Sequence, residues 1–252
     1  MVPIPFSMRL SWFGGTLLVS MLLLACQNNG KRDIRAYYFP AHDLHNGQVY
    51  QYAVTQNGNP ANEYWYYRSS LRDSGLFFTA TNYDRNYQIS QITTEKIFAS
   101  GAVSRDYFIY EPDTLSDQVV QVRATVESAN VFPFQVTDSL GVFLFRLHYA
   151  SANDTTTTIY VIRNRRFLGD GPDFKLQGKT YPCVRFGLRE VVGNEKEGAS
   201  EVEGQGEEWY AQGIGLVYSR KSFGDYRLES RLTDRFPMAE LERRASEQFG
   251  KD

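Results

Sequence analysis

The sequence predicts an all-β domain, built as an antiparallel sheet, sandwich or barrel and ending in one amphipathic helix. Aromatic residues make up 15% of the 252 residues, with 17 Tyr and 17 Phe, and such side chains favour pleated, half-buried strands. About ten segments alternate apolar and polar residues with a period of two. Because no helix-length pattern separates these segments, a parallel sheet with crossover helices is disfavoured.

The chain begins with a segment typical of an export signal. Arg9 supplies a positive charge, and the apolar core that follows is shorter than the roughly 20 residues of a membrane-spanning helix. The run Leu23-Leu24-Ala25-Cys26 resembles a bacterial lipobox, at which a signal peptidase cleaves before the cysteine. We therefore predict cleavage before Cys26 and lipidation of its thiol. An ordinary apolar helix that ends in a buried cysteine is the alternative.

Lipidation would make a membrane the first partner of the protein. Two or three acyl chains, among which we expect palmitate, anchor a protein more stably than one chain does. In some bacteria an Asp after the lipidated cysteine retains the protein in the inner membrane. Gln27 occupies that position here, which favours the outer membrane of the cell envelope, with the domain facing the periplasm or the cell surface.

The composition excludes one class of partner. Without Arg9 the chain carries 26 basic and 29 acidic side chains, a net charge of −3, so nucleic-acid binding is not expected. The predicted organisation is a signal peptide at 1–25, a lipidated tether at 26–36 and a single β-rich domain at 37–252, with a C-terminal helix at 237–249.

Alternation of apolar and polar residues defines the predicted strands in chain order. Asn57-Gly58 predicts a hairpin whose connection is longer than two residues. The apolar faces of the predicted strands are formed by Tyr50, Tyr52, Val54, Val120, Val122, Ala124, Val126, Phe143, Phe145, Leu147, Tyr149, Ile159, Val161, Val184, Phe186, Leu188, Ile214, Leu216, Tyr218, Tyr226, Leu228 and Leu232.

Two further segments complete the predicted elements. The polar, acidic stretch 194–206 is interpreted as a long hairpin loop, with a calcium site as a weaker alternative because Glu supplies oxygen ligands. Pro237 suits the first position of a helix. Met238, Leu241 and Phe249 then fall on one stripe, together with Ala245, and we predict that this helix covers the sheet or its edge.

No motif in the sequence predicts a catalytic, cofactor or metal site. His42 and His45 have no identifiable third metal ligand. Glu207 and Glu208 are adjacent, and neighbours on a strand point to opposite faces, so they cannot act as a pair of catalytic carboxylates. Cys183 has no partner if Cys26 carries lipid, and it is interpreted as a buried, inert thiol. We therefore expect no enzymatic activity.

A family resemblance is carried by residues near both ends of the domain. The run 208–217, EWYAQGIGLV, is similar to a strand–turn–strand unit of the TapB-like family of β-rich bacterial envelope lipoproteins of unsettled function. The segment Tyr38-Phe39-Pro40, followed by Gly47 and Tyr50, resembles the opening strand of that family. The resemblance implies a strongly curved antiparallel sheet, a half-barrel or an open barrel, and it implies no reaction.

Four residues of that unit form a fold-signature turn. Gly213 and Gly215 permit close packing or a positive φ where two strands meet. Trp209 and Tyr210 are expected to pack on either side of this turn.

Three functions remain open at the level of sequence. The first is a non-catalytic envelope module that binds a protein or a surface polymer. The second is a carrier or sensor of a lipid or other apolar ligand, which would need a cavity of about 300–1,000 Å³ lined by Phe and Tyr. The third, a hydrolase, would need converging polar side chains with perturbed pKa values.

Overall fold

The computed structural model describes residues 30–114, 116, 118–137, 141–195 and 200–250. The chain divides into two units, Met1–Lys31 and Arg32–Asp252, and the second contains the fold. The predicted signal peptide and Cys26 lie outside the described residues.

The described residues form seventeen strands, two short 3-10 helices and one α-helix. The 3-10 helices are Arg35–Tyr37 and Leu44–Asn46. The other elements are β1 (Lys31–Asp33), β2 (Gln48–Gln56), β3 (Asn59–Arg72), β4 (Gly75–Tyr83), β5 (Ile89–Phe98), β6 (Gly101–Pro112), β7 (Val119–Arg123), β8 (Thr125–Pro133), β9 (Gln135–Thr137), β10 (Val142–Ala150), β11 (Thr158–Asp170), β12 (Phe174–Leu176), β13 (Lys179–Tyr181), β14 (Cys183–Glu195), β15 (Glu201–Ala211), β16 (Gly215–Phe223), β17 (Tyr226–Phe236) and α1 (Met238–Phe249).

Twelve strands of the described chain close into an antiparallel barrel. Their order is β5-β4-β3-β2-β17-β16-β15-β14-β11-β10-β8-β6, and β6 pairs back onto β5. Strand β7 extends the sheet beside β6, while β1–β9 and β12–β13 form two small sheets. The predicted all-β class with a C-terminal helix is confirmed. The sheet goes beyond the half-barrel or open barrel of the prediction, because pairing of β5 with β6 removes both free edges.

One part of the barrel interior is a dense aromatic core. Tyr50 and Tyr52 are buried on the inner face of β2, as their alternation predicts. Phe39 enters this core from the N-terminal segment, with its ring centroid 4.3 Å from that of Tyr67 and 5.1 Å from that of Phe78. The aromatic excess of the sequence is therefore used to fill the barrel.

The packed domain begins earlier than the predicted boundary at residue 37. Ile34 is fully buried, and its N–H donates to the carbonyl of Phe134 at 2.9 Å. Ile34 is a single apolar residue in a polar context, and sequence periodicity cannot detect burial of an isolated side chain. The end of the predicted tether is thus part of the core.

Helix α1 packs against the outer face of the barrel. Leu241 is buried there with Val49, Tyr64 and Phe236. The Phe249 ring contacts Tyr87, with centroids 6.3 Å apart. The predicted C-terminal helix therefore forms, and it covers outward-facing residues of β2, β3 and β17.

The first hairpin is tighter than the sequence suggests. Its loop is only Asn57-Gly58, with φ angles of 48° and 85°, so β2 and β3 are joined by a two-residue turn with positive φ at both positions. The prediction of a connection longer than two residues was wrong. Pro60 and the polar residues at the start of β3 conceal the beginning of that strand in the sequence.

Candidate binding groove

A groove of about 1050 Å³ lies on the outer face of the barrel. Strand register places one residue from each of seven adjacent strands in a single row across it. The row is Val142, Arg166, Gly187, Glu207, Arg220, Glu229 and Thr55. A second row of Asn164, Arg189, Gln205, Ser222 and Arg227 runs beside it.

Glycine shapes the middle of this groove. Gly187 contributes no side chain between Arg166 and Glu207, and the side chain of Leu168 lies over it, 3.3 Å from where a Cβ would be. At Gly206, on the next strand, an added Cβ would collide with the carbonyl oxygen of Arg220. Strands β15 and β16 therefore approach each other in a way that only glycine permits.

The outward-facing side chains of the groove are mostly polar or charged. Four arginines, Arg166, Arg189, Arg220 and Arg227, line it together with two glutamates. Arg220 lies 3.3 Å from Glu207, and Arg189 pairs with Glu203 at 2.5 Å. Both arginine side chains are more than half exposed in these pairs. Exposed pairs contribute about 0–1 kcal/mol, so these guanidinium groups can exchange partners at little cost.

The inner face of the same wall carries a buried network of charges. Glu208 lies 2.9 Å from Arg165 and accepts a hydrogen bond of 3.0 Å from the hydroxyl of Tyr210. Glu190 pairs with Arg163 and lies 3.0 Å from Lys221. The network occupies the interior behind the groove.

The protonation states of this network are fixed by its mutual contacts. Burial pushes the pKa of Glu190 upward, but Arg163 and Lys221 outweigh it, and the pKa falls to about 2. Burial likewise opposes ionisation of Glu208, and Arg165 and Arg163 reverse the effect, so its pKa is lowered. Burial, followed by repulsion from Arg163, lowers the pKa of Lys221. Both carboxylates are ionised at neutral pH, as expected of structural ion pairs.

A separate buried carboxyl group holds the N-terminal segment. The Tyr38 hydroxyl donates to Glu95 at 2.6 Å. Burial raises the pKa of Glu95 to about 7, and the bond from Tyr38 and the more distant charge of Arg165 only partly oppose it. Glu95 thus differs from Glu190 and Glu208, which have cations in direct contact.

A smaller, apolar crevice of about 350 Å³ lies along the N-terminal segment. Phe39, Leu76, Ile97 and Phe134 contribute its apolar lining, and Arg35, His42 and Asp43 also line it. Its volume lies near the lower limit for small-molecule sites.

The N-terminal segment packs against the predicted fold-signature turn. The Gly213 N–H donates to the carbonyl of Ala36 at 2.8 Å. An added Cβ on Gly215 would lie 2.5 Å from the ring of Phe39. Trp209 and Tyr210 occupy opposite faces of β15, with Trp209 against Tyr218 at a ring-centroid distance of 4.4 Å and Tyr210 in the core.

The other candidate residues, Cys183, His42 and His45, do not form a common site. Cys183 is buried, and burial raises the pKa of its thiol to about 11. His42 lines the apolar crevice, whereas His45 belongs to a 3-10 helix. Within the ranges that the structure describes, no group of three or more His, Cys, Asp or Glu is placed to hold a metal ion.

The acidic stretch 194–206 is shorter as a loop than its composition suggests. Strand β14 continues to Glu195 and β15 starts at Glu201; residues 196–199 lie outside the described residues. Glu201 accepts a hydrogen bond from Tyr160, and Glu203 pairs with Arg189. These carboxylates are therefore engaged along the hairpin rather than grouped for a cation.

Sequence could not locate the groove or the buried network. The arginines of the groove are separated by up to 61 positions and come together only through strand pairing. One detectable signal was the presence of charged residues at inward positions of β11, β14 and β15, where alternation alone predicts apolar side chains.

The sequence of this chain has low similarity to those of known proteins. No family model matches this chain, and no curated protein is similar to it. Two solved structures are similar over 79% of this chain and 98% of their own length. One is a protein named as a lipoprotein from Parabacteroides distasonis, at 13% identity and a TM-score of 0.47. The other is an exported protein with a YmcC-like fold from Bacteroides fragilis, at 14% identity and a TM-score of 0.49.

The TapB-like resemblance stays a prediction, since no family model supports it. In the described part of the chain, no helix is both long and apolar enough to cross a membrane.

Proposed function

We propose that this protein is a non-catalytic, lipid-anchored module of the bacterial cell envelope that binds another macromolecule through the outer groove. The anchor is the lipidated Cys26 that the lipobox-like run predicts. The observation that carries the binding function is the groove itself, a concavity of about 1050 Å³ lined by two rows of polar and charged side chains. Its volume is at the upper end of the range of about 300–1,000 Å³ for small-molecule sites, and its polar lining is unlike the mainly apolar lining of such sites, which favours a macromolecular partner.

The contents of the barrel favour binding on the outside rather than inside. Aromatic side chains fill one part of the interior, and the network of Arg163, Arg165, Glu190, Glu208 and Lys221 occupies the part behind the groove. A ligand inside would have to displace either close-packed rings or paired buried charges, and both are costly.

Photo-crosslinking in the cells that produce the protein tests this function. A photoreactive amino acid replaces Leu168, which lines the groove and is 46% exposed, and the control replaces Leu71, which is 83% exposed on β3. We expect a discrete crosslinked product from position 168 that position 71 does not give. Equal products at both positions, or none at 168, would contradict binding through the groove.

Membrane fractionation tests the anchor separately. The variant Cys26→Ala should leave the membrane fraction and appear in the soluble envelope fraction, because its acyl chains are lost. A variant that stays in the membrane fraction would show that another segment anchors the chain.

The apolar crevice supports a second candidate function, a carrier or sensor of an apolar ligand. Its lining by Phe39, Leu76, Ile97 and Phe134 suits a small hydrocarbon group. Native mass spectrometry of the protein purified from its own envelope would show a reproducible mass excess if a ligand is carried. The substitution Ile97→Glu should remove that excess, and an excess that persists would place the ligand elsewhere.

A further inference from the structure

We infer that the groove receives an acidic segment of a partner protein, with side-chain carboxylates bound by its arginines. This inference rests on the proposed function and specifies the chemistry of the partner. It follows from the charge balance of the groove, from the charges behind it and from the character of its other side chains.

The charge balance of the groove differs from that of the whole chain. The chain has a net charge of −2, yet the outward-facing groove residues include four arginines against Glu207 and Glu229, with Glu203 beside the groove as the partner of Arg189. Arg189 lies in the second row on β14, whereas Arg220 of the first row and Arg227 of the second row lie on the neighbouring strands β16 and β17. Adjacent strands are about 4.8 Å apart. Guanidinium groups bind carboxylates through paired hydrogen bonds, so this spacing suits successive acidic side chains.

The buried network behind the groove contains more basic than acidic side chains. Three basic side chains, Arg163, Arg165 and Lys221, lie against two ionised carboxylates, Glu190 and Glu208. Salt screens buried charges much less than exposed ones. Basic side chains therefore outnumber carboxylates both in the buried network and among the outward-facing residues of the groove.

The other groove side chains favour a protein over an anionic polysaccharide. Among the described residues that line the groove, none is Phe, Tyr or Trp, the side chains that stack on sugar rings. Val142 is 62% exposed and Leu168 is 46% exposed, and both lie beside the arginines. Asn164 and Gln205 supply amides that can bond to a peptide backbone. Exposed apolar groups next to cations match an acidic segment that also carries apolar side chains.

Calorimetric titration of the full chain in detergent with polyglutamate tests the inference, and polygalacturonate serves as the carboxylate polysaccharide for comparison. The groove variant is Arg220→Gln with Arg227→Gln. The matched control is Arg72→Gln with Arg105→Gln, which removes the same charge from exposed positions on β3 and β6. Each variant is compared at two salt concentrations, because binding dominated by charge weakens as salt rises.

We expect polyglutamate to bind and the groove variant to weaken it about tenfold, with less than about twofold change in the control. Equal weakening by both variants would reveal attraction to the net charge and overturn the inference. Tighter binding of polygalacturonate would assign the groove to a polysaccharide and also overturn it. Absence of polyglutamate binding, together with a crosslink at Leu168, would reject the acidic partner while leaving the proposed function in place.

Discussion

Glu207 and Glu208 are neighbours on β15 and have the same side chain, but they lie in opposite environments. Glu207 faces the groove, with Arg220 at 3.3 Å and Arg185 at 4.0 Å. Glu208 faces the interior, where it is buried with Arg165 at 2.9 Å. The outer pair can be remodelled by a partner, whereas the inner pair is part of the structure.

The difference follows from solvation. Water stabilises an exposed carboxylate whether or not its partner is present, so an exposed pair contributes little. A buried ion has no such compensation, and removal of its partner leaves a charge in a medium of low dielectric constant. One wall of the barrel therefore combines a rigid inner face with an adaptable outer face.

The largest effect is expected from breaking the inner pair. In Glu208→Ala, Arg165 keeps its bond to the carbonyl of Val131 but loses its counter-ion. We expect the free energy of unfolding to fall by about 3–5 kcal/mol, measured by urea denaturation. A loss below about 1 kcal/mol would show that solvent reaches this site.

A double variant separates loss of charge balance from loss of packing. Glu208→Leu with Arg165→Met replaces both ions by apolar groups, and it should recover much of the stability lost in Glu208→Ala. A double variant less stable than Glu208→Ala would show that the pair is needed for more than neutrality.

The next effect concerns Glu95, a buried carboxyl group with no cation in direct contact. Its pKa is raised from 4.5 to about 7 in the folded state. A raised folded pKa contributes stability that is complete below pH 4.5 and is lost as the pH rises through 7. We expect a loss of about 3 kcal/mol between these limits, measured by denaturation at several pH values.

The variant Glu95→Gln is the control for this titration. It has no proton to lose, so its stability should change less than that of the native chain between pH 4.5 and 7. Identical pH profiles of the two proteins would assign the titration to other groups.

An intermediate effect is expected at Lys221, which shares Glu190 with Arg163. The substitution Lys221→Met keeps the apolar part of the side chain, and Glu190 retains its contact with Arg163. The free energy of unfolding should fall by about 1–3 kcal/mol, measured by urea denaturation. A loss as large as that in Glu208→Ala would mean that Arg163 alone cannot support Glu190.

The smallest effect is expected on the outer face. Glu207→Ala removes the partner of Arg220, but both groups are accessible to water. The free energy of unfolding should change by about 0–1 kcal/mol, in the same urea assay. A cost near that of Glu208→Ala would abolish the distinction between the two faces.

Local features of this fold are visible in the sequence because they depend on local periodicity. Alternation placed Tyr50, Tyr52, Val184 and Phe186 on buried strand faces. The apolar stripe after Pro237 predicted the terminal helix, which runs from Met238 to Phe249. The sequence also predicted that Glu207 and Glu208 point apart, since strand geometry requires it.

Closure of the barrel, the groove and the buried ions depend on contacts between distant residues. Alternation specifies which face of a strand is apolar, but not which strand lies beside it, so the β5–β6 pairing could not be foreseen. Alternation marks Arg163, Arg165 and Glu190 as charged residues at inner positions of β11 and β14, but it does not specify which residues of other strands they contact.

The sequence by itself therefore determined the all-β class, the buried faces of strands such as β2 and β14, and the final helix. These properties are set by neighbouring residues. Lipid attachment at Cys26 stays a prediction from the sequence. Only the tertiary structure decided that Arg165 meets Glu208 inside the barrel and that Arg166, Arg220 and Arg227 share a groove outside it. The physical reason is that strand register, fixed by backbone hydrogen bonds across the whole sheet, decides which distant side chains become neighbours.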